Sequence, residues 1–434
     1  MTPVVGRIRQ GGCLGGQVSS SVQRRLGTAD AVVLGLAAML GTGVFAVWGP
    51  AAAAAGPWLL LAVVLAGVVA ACNAASTADL AVAHPESGGG YVYGRERLSP
   101  GAGRLAGVAF VVGKSASAAA AAGVFGSYVL PAAPLPASIL AIVAATLLNV
   151  TGVRWTARGA YALVGGTLAV LVVVVVVGLS GSDVDDVAAA APTAPVPVTG
   201  GLIGTLTAAG LLFFAFAGYA RIATLGEEVR DPDRTLRRAI AVALGVTLVV
   251  YLLVGIALLV GMGSDRLAQE TSPLVTLVDS GNAPGLGVLV RVGAAVAAGS
   301  ALLSVLVGVS RTALAMARRG ELPRCLEAVG PRGTPWRADL AGGAVAVVLA
   351  VLAGPAAAIA LSACSTLVYY AVINVAALRL PATVRRWPAW TAALGLVMCV
   401  SLAVLLPLTQ VLITAAALAV GWTACTVLPR RESG

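Results

Sequence analysis

Two glycines flank a threonine at Gly41-Thr42-Gly43, inside an apolar run from Ala31 to Val47 that otherwise reads as one membrane helix. Glycine is about 1 kcal/mol less favourable than alanine in a helix interior, and a threonine hydroxyl competes for nearby backbone groups. The chemistry open to such a stretch belongs to the backbone. An interrupted helix frees peptide N–H and C=O groups, which in lipid are tolerated only where protein or a wet cavity meets them. The break therefore predicts a cavity at mid-membrane depth, lined by bare peptide dipoles.

A second stretch has the same character. Phe213 to Arg221 reads F-F-A-F-A-G-Y-A-R, with Gly218 in mid-span and an arginine just beyond it. A helix interrupted at Gly218 opens carbonyls on one side and a dipole end on the other. Taken alone, the glycine could equally serve to admit a neighbouring helix. Two glycine-interrupted spans in corresponding positions of two halves point to a transport site between inverted repeats. The breaks fall five helices apart, an odd number, so the second set must cross the membrane in the opposite sense.

Ionisable and polar tips inside apolar spans are the other chemical candidates. Lys114 is the only lysine. It falls about 14 Å along its helix, where a charge costs about 2.5–3.5 kcal/mol. Either it faces a wet cavity, binding a substrate carboxylate or acting as a fixed or titrating cation, or it pairs with Asp79 or a backbone carbonyl. Tyr369, Tyr370 and Asn374 lie in one apolar stretch. Buried tyrosines need partners, so they mark a cavity, a gate or a structural hydrogen bond. His84, the only histidine, reads as a solvated residue at a helix end, with a proton relay as the alternative.

The elements that position these residues are membrane helices. The chain has 434 residues, 59% hydrophobic and 11% charged, against about 25% charged in a soluble domain. Twelve spans are expected, each near the roughly 20 residues that cross the hydrocarbon layer. They are Ala29 to Ala53, Trp58 to Val82, Leu105 to Leu130, Ala137 to Val150, Ala157 to Leu179 and Gly201 to Thr224, then Ala239 to Met262, Leu286 to Ala317, Leu340 to Ala353, Ala356 to Leu378, Trp390 to Leu406 and Leu408 to Leu428. The segment from His84 to Arg95, with Gly88 to Gly90, reads as a tight loop or re-entrant stretch. Residues 28–180 form a first repeat and 201–380 a second, joined by an external linker over 181–200. Residues 381–428 hold the last two spans. Residues 1–27 lack a signal peptide's apolar core and read, with 429–434, as cytoplasmic tails.

The net charge of +10 does not make a nucleic-acid binder, because the arginines alternate with the spans. Arg95, Arg97, Arg104, Arg158, Arg238, Arg311, Arg337 and Arg386 all fall on one side, in loops or in the span ends beside them. Asp183, Asp185, Asp186, Asp265, Glu270 and Asp279 fall on the other, against only Arg266 and Arg291. That is the positive-inside pattern, and it places both termini in the cytoplasm and the protein in the cytoplasmic membrane. The loop from Glu227 to Arg238 is dense in mixed charge, suited to salt bridges at an inner gate or to plain solvation. The six cysteines show no metal spacing, and no cofactor or metal is expected.

Four motifs carry a family resemblance. G-T-G-V-F from Gly41, P-E-S-G-G-G-Y-V-Y from Pro85, F-F-A-F-A-G-Y-A-R-I-A-T-L-G-E-E-V-R-D-P from Phe213, and S-R-T-A-L-A-M-A-R-R-G-E-L-P from Ser310 resemble the amino acid–polyamine–organocation superfamily. The likeness is nearest to its bacterial amino acid permeases and the cationic amino acid transporter branch. It implies an all-α, LeuT-like fold of five-plus-five inverted repeats with broken helices 1 and 6 and two peripheral helices. It implies that N–H groups around Gly41, Thr42 and Gly43 receive a substrate carboxylate, and that carbonyls around Phe214, Ala215 and Ala217, beside Gly218, receive the ammonium. Many relatives carry a lysine in span 5 where this chain has Thr167, and Ser300 and Ser304 in span 8 stand near the other half of that ion site. Lys114 becomes a candidate substitute for the missing lysine.

The expected function is a secondary transporter of amino acids, neutral ones first because no acid lies deep in a span, proton-coupled or exchanging. A cationic amino acid or polyamine substrate, or a binding protein without flux, are the alternatives. Catalysis is poorly served by one histidine and no H-E-x-x-H. The partners are a small amino acid, the bilayer and a coupling proton.

Overall fold

The apolar stretches become helices whose ends fall where glycine and proline interrupt the pattern. The computed structural model describes residues 27–84, 88–152, 157–180, 200–223, 229, 231–281 and 285–427. The expected tails, most of the linker and residues 224–228 and 230, with Glu227 and Glu228 of the charged loop, lie outside the described residues.

Among the described residues, nine helices are long and apolar enough to cross a membrane, and two shorter ones, Pro134–Val150 and Ala389–Leu405, join them. One of the nine contains two spans. Trp336–Leu378 is 43 residues long, about 65 Å if straight and twice the hydrocarbon thickness. The helix turns back at Gly354, with φ 68° and ψ 167°, just before Pro355. Its two ends lie on one face of the bundle. Thr334, just before it, donates to the Val150 carbonyl at the end of span 4, and Tyr369 meets Gly90, in the loop after span 2. Spans 9 and 10 are thus two antiparallel arms. Similarly Gly56, at φ 54°, separates the last part of span 1, Trp48–Ala55, from span 2, Leu59–Ala83. The twelve expected spans are all present, as an all-α architecture.

Span 3, Pro100–Val129, is the central strut, packed against spans 8 and 10. Small residues make that closeness possible. A Cβ at Gly113 would sit 3.0 Å from Ser365 Cβ in span 10, and one at Gly107 only 2.7 Å from Met316 Sδ in span 8. The run Ala118 to Ala122 is buried throughout.

Several polar groups inside the bundle are paired across spans. Asn374 donates to Asn73 Oδ1 at 2.6 Å and accepts from Ser76 at 2.7 Å, with Cys399 closing the cluster. Asp79 accepts the backbone N–H groups of Arg386 and Trp387, both at 3.1 Å. It is committed to the turn between spans 10 and 11, so the Lys114–Asp79 pair considered above does not form.

The segment expected after span 2 as a tight loop or re-entrant stretch combines a turn with a short helix. Gly88 and Gly89 turn the chain with φ of 138° and 54°, and Gly90–Arg97 then forms a short helix against span 3. Glycines permit the turn, and the tyrosines behind them are buried against the bundle.

Candidate substrate site

Span 1 is interrupted where the two glycines stand. Its first part, Thr28–Met39, ends with Leu40 donating to the Leu36 carbonyl. The next helical turn is Gly43–Ala46, and Trp48–Ala55 completes the span. Among the described residues, the N–H groups of Gly41, Thr42 and Gly43 have no hydrogen-bond partner, nor has the buried Thr42 hydroxyl. Buried backbone groups are almost always paired. Bare N–H groups at the start of a helical segment carry the positive end of the peptide dipoles.

Span 6 behaves differently. Gly201–Phe216 tightens into a 3₁₀ turn over Ala217–Tyr219 and resumes as Ala220–Ala223. Ala217 still donates to the Phe213 carbonyl. Ala215 and Ala217 are buried, while Phe214 and Gly218 are half-buried.

The two interrupted regions touch twice, each time through a glycine. A Cβ at Gly43 would stand 2.5 Å from Ala215 Cα, and one at Gly218 would stand 2.5 Å from the Ala38 carbonyl carbon. Backbone meets backbone at both crossings, and no side chain larger than hydrogen fits. Behind them, Tyr251 in span 7 donates its hydroxyl toward the Met39 carbonyl at 2.6 Å and the Ala215 carbonyl at 3.2 Å. Tyr128 in span 3 donates to the Phe45 carbonyl at 3.1 Å.

The matched family model settles the class: the amino acid permease model covers residues 30–432. The chain belongs to the amino acid permease family. As a permease of the amino acid–polyamine–organocation superfamily it has the LeuT-like five-plus-five fold. It is 48% identical over 408 residues to an uncharacterized transporter of Mycobacterium tuberculosis, covering 93% of this chain and 91% of that one. It is 27% identical to the branched-chain amino acid permease BcaP of Bacillus subtilis, over 76% of this chain and 75% of the relative. It is also 27% identical to cationic amino acid transporter 4, vacuolar, of Arabidopsis thaliana, over 75% and 58% respectively.

The remaining expected residues of the permease are scattered rather than gathered. Lys114 is half-buried at mid-height of span 3, with its ammonium 5.9 Å from the Phe110 ring centroid. Two buried hydroxyls have no hydrogen-bond partner: that of Ser115, the next residue in sequence, and that of Ser365, whose Cβ packs on Gly113. Thr167 is buried, Ser300 half-buried and Ser304 exposed. Span 8 approaches the break through Ala301 and Ala297 instead, with Ala301 Cβ 3.0 Å from a Cβ placed at Gly41. Tyr369 accepts the Gly90 N–H at 2.9 Å and packs on Phe110 and Tyr370 at 5.2 and 5.1 Å. Cys72, Cys364, Cys399 and Cys425 are buried free thiols.

Sequence reasoning missed three groups. Tyr251 is a polar tip in the otherwise apolar span 7, and the rule that marked Tyr369 and Tyr370 marks it equally. Tyr128 is the same case in span 3. Glu321, inside the quoted S-R-T-A-L-A-M-A-R-R-G-E-L-P motif, is 5% exposed and holds Arg95 Nη1 at 2.7 Å and Arg104 Nε at 3.5 Å. Arg319 lies 5.5 Å over the Tyr91 ring. Burial, with the Glu321 charge next, raises the Tyr91 phenol above its ordinary range, so it stays protonated. This cluster ties the Gly90–Arg97 helix and the base of span 3 to the residues just after span 8. His84 accepts from Arg97 Nε at 2.7 Å, as befits a helix end.

Proposed function

We propose that this permease moves neutral amino acids across the cytoplasmic membrane by alternating access, with both termini in the cytoplasm. The carrying observation is the orphaned, buried N–H row of Gly41, Thr42 and Gly43 packed against the carbonyl-bearing segment Phe214 to Ala217. A zwitterion matches that pair of opposite dipole ends: carboxylate to the N–H groups, ammonium to the carbonyls. Gly218 admits the close crossing that holds the two segments in register.

The neutral class is favoured by the fate of the acids. Among the described residues, the carboxylates within the spanning helices are Asp30, Asp79, Asp265 and Asp339, all close to helix ends, and Asp79 is engaged by backbone N–H groups. A cationic side chain buried in the site would want a carboxylate. The name of the branched-chain relative supports the same class, and the name of the cationic relative keeps the runner-up in view.

Coupling is assigned to a proton or to exchange. Lys114, half-buried and without an ion-pair partner among the described residues, is the group that answers to it, in place of the span 5 lysine that Thr167 replaces. Thr167, Ser300 and Ser304 are kept as pocket candidates around span 8, and Tyr369 as a gate support. Uptake of labelled amino acids into proteoliposomes tests the reading. Saturable uptake or exchange of neutral amino acids is expected. Ligand binding by calorimetry with no flux of any amino acid would convert it to a binding protein.

A further inference from the structure

The Tyr251 hydroxyl sits where the two interrupted spans offer carbonyls to the same point. The Met39 carbonyl ends the first part of span 1, and the Ala215 carbonyl precedes the 3₁₀ turn of span 6; they lie 2.6 and 3.2 Å from Tyr251 Oη. A phenol has one proton. It can satisfy one carbonyl fully, and the shorter distance says which. The second carbonyl and the phenol's own lone pairs remain as acceptors in a buried place. Tyr251 is fully buried, with the Trp48 ring at 6.1 Å and the Phe216 ring at 4.9 Å packed edge-on against it. The ring cannot swing away to water.

We propose that Tyr251 is a positioning residue for the substrate ammonium. Resting on the zwitterion reading above, it gathers the Met39 and Ala215 carbonyls to one point and shares them with the incoming –NH₃⁺. The ammonium carries three donors, which suits two carbonyls and one phenol oxygen. The same arrangement makes the site selective for a primary amine, because each methyl added to the nitrogen removes a donor and adds bulk at a point already filled by three oxygens. Span 7 thereby joins spans 1 and 6 in recognition, although it is itself unbroken beside the site.

The test compares wild type with Tyr251→Phe in proteoliposomes, using a transported amino acid and its N-methyl derivative. In wild type, N-methylation is expected to raise KM at least about tenfold, the order of one hydrogen bond to a charged group. Tyr251→Phe is expected to raise KM for the parent by a similar factor and to shrink the parent-to-methyl ratio toward one, with kcat less affected. An unchanged KM, or the same ratio in both proteins, would overturn the role. A merely structural tyrosine would lower the melting temperature or the amount of protein without altering that ratio. Where Tyr251→Phe does not fold, Tyr251→His carries the same comparison, since it keeps a polar ring atom near the carbonyls. Failure of wild type to move any amino acid would remove the transport reading itself, whereas an unaltered ratio would remove only Tyr251.

Discussion

Spans 1 and 6 are interrupted at facing positions, but not in the same way. Span 1 abandons its hydrogen-bond ladder after Leu40 and leaves three N–H groups and the Thr42 hydroxyl without partners. Span 6 tightens into a 3₁₀ turn and keeps bonding, as Ala217 does to Phe213. Under the zwitterion reading proposed above, the difference follows from what each end would offer. Donors for an anion have to be bare, because an N–H has a single hydrogen to give. Carbonyls have two lone pairs and can attract a cation while still closing a turn. Two glycines around a threonine suit the first task, and one glycine beside aromatics suits the second.

The severest way to break this comparison is Gly43→Leu. The new Cβ would lie 2.5 Å from Ala215 Cα, in backbone that cannot yield cheaply, and the branched side chain would fill the anion site. Uptake should vanish while the protein still inserts, checked by membrane fractionation; normal uptake would remove Gly43 from the site. Next in size is Glu321→Ala on the arginine-rich face. It leaves Arg104, 7% exposed, without its carboxylate, and loss of one partner of a buried pair costs about 3–5 kcal/mol. Thermal unfolding should show the drop, and a melting temperature equal to wild type would mean that Arg104 finds water instead.

A smaller effect is expected from Lys114→Ala, which sharpens the contrast between the zwitterion site and its surroundings. The pH profile of uptake, or the apparent affinity, should move by a few-fold. If neither changes, Lys114 is a structural residue held over Phe110. Smallest is Tyr369→Phe, which deletes one hydrogen bond to the Gly90 N–H, about 1 kcal/mol. Uptake should be close to normal with a slight loss of stability; complete loss of uptake would make Tyr369 part of the pathway rather than a support beneath it.

How much could be read in advance differed by the range of the interaction. Span positions, the two interruptions and the charge asymmetry are local or periodic features, and hydropathy with glycine placement expresses them directly. Ser300 and Ser304 show the limit. The resemblance puts them near the other half of an ion site in span 8, and sequence alone does not say which residues of that span reach Gly41; Ala297 and Ala301 do. The short helix Gly90–Arg97 was hidden because glycine-rich sequence announces a turn and not what packs behind it.

The amino-acid sequence by itself determined a twelve-span permease with paired weak points, since burial in lipid permits few alternatives to helix. Only the tertiary structure decided that Gly43 meets Ala215, that Gly218 meets Ala38, and that Tyr251 closes the gap between them. Those contacts join residues distant along the chain, and their geometry depends on the tilt and rotation of several packed helices at once. No local pattern carries that information.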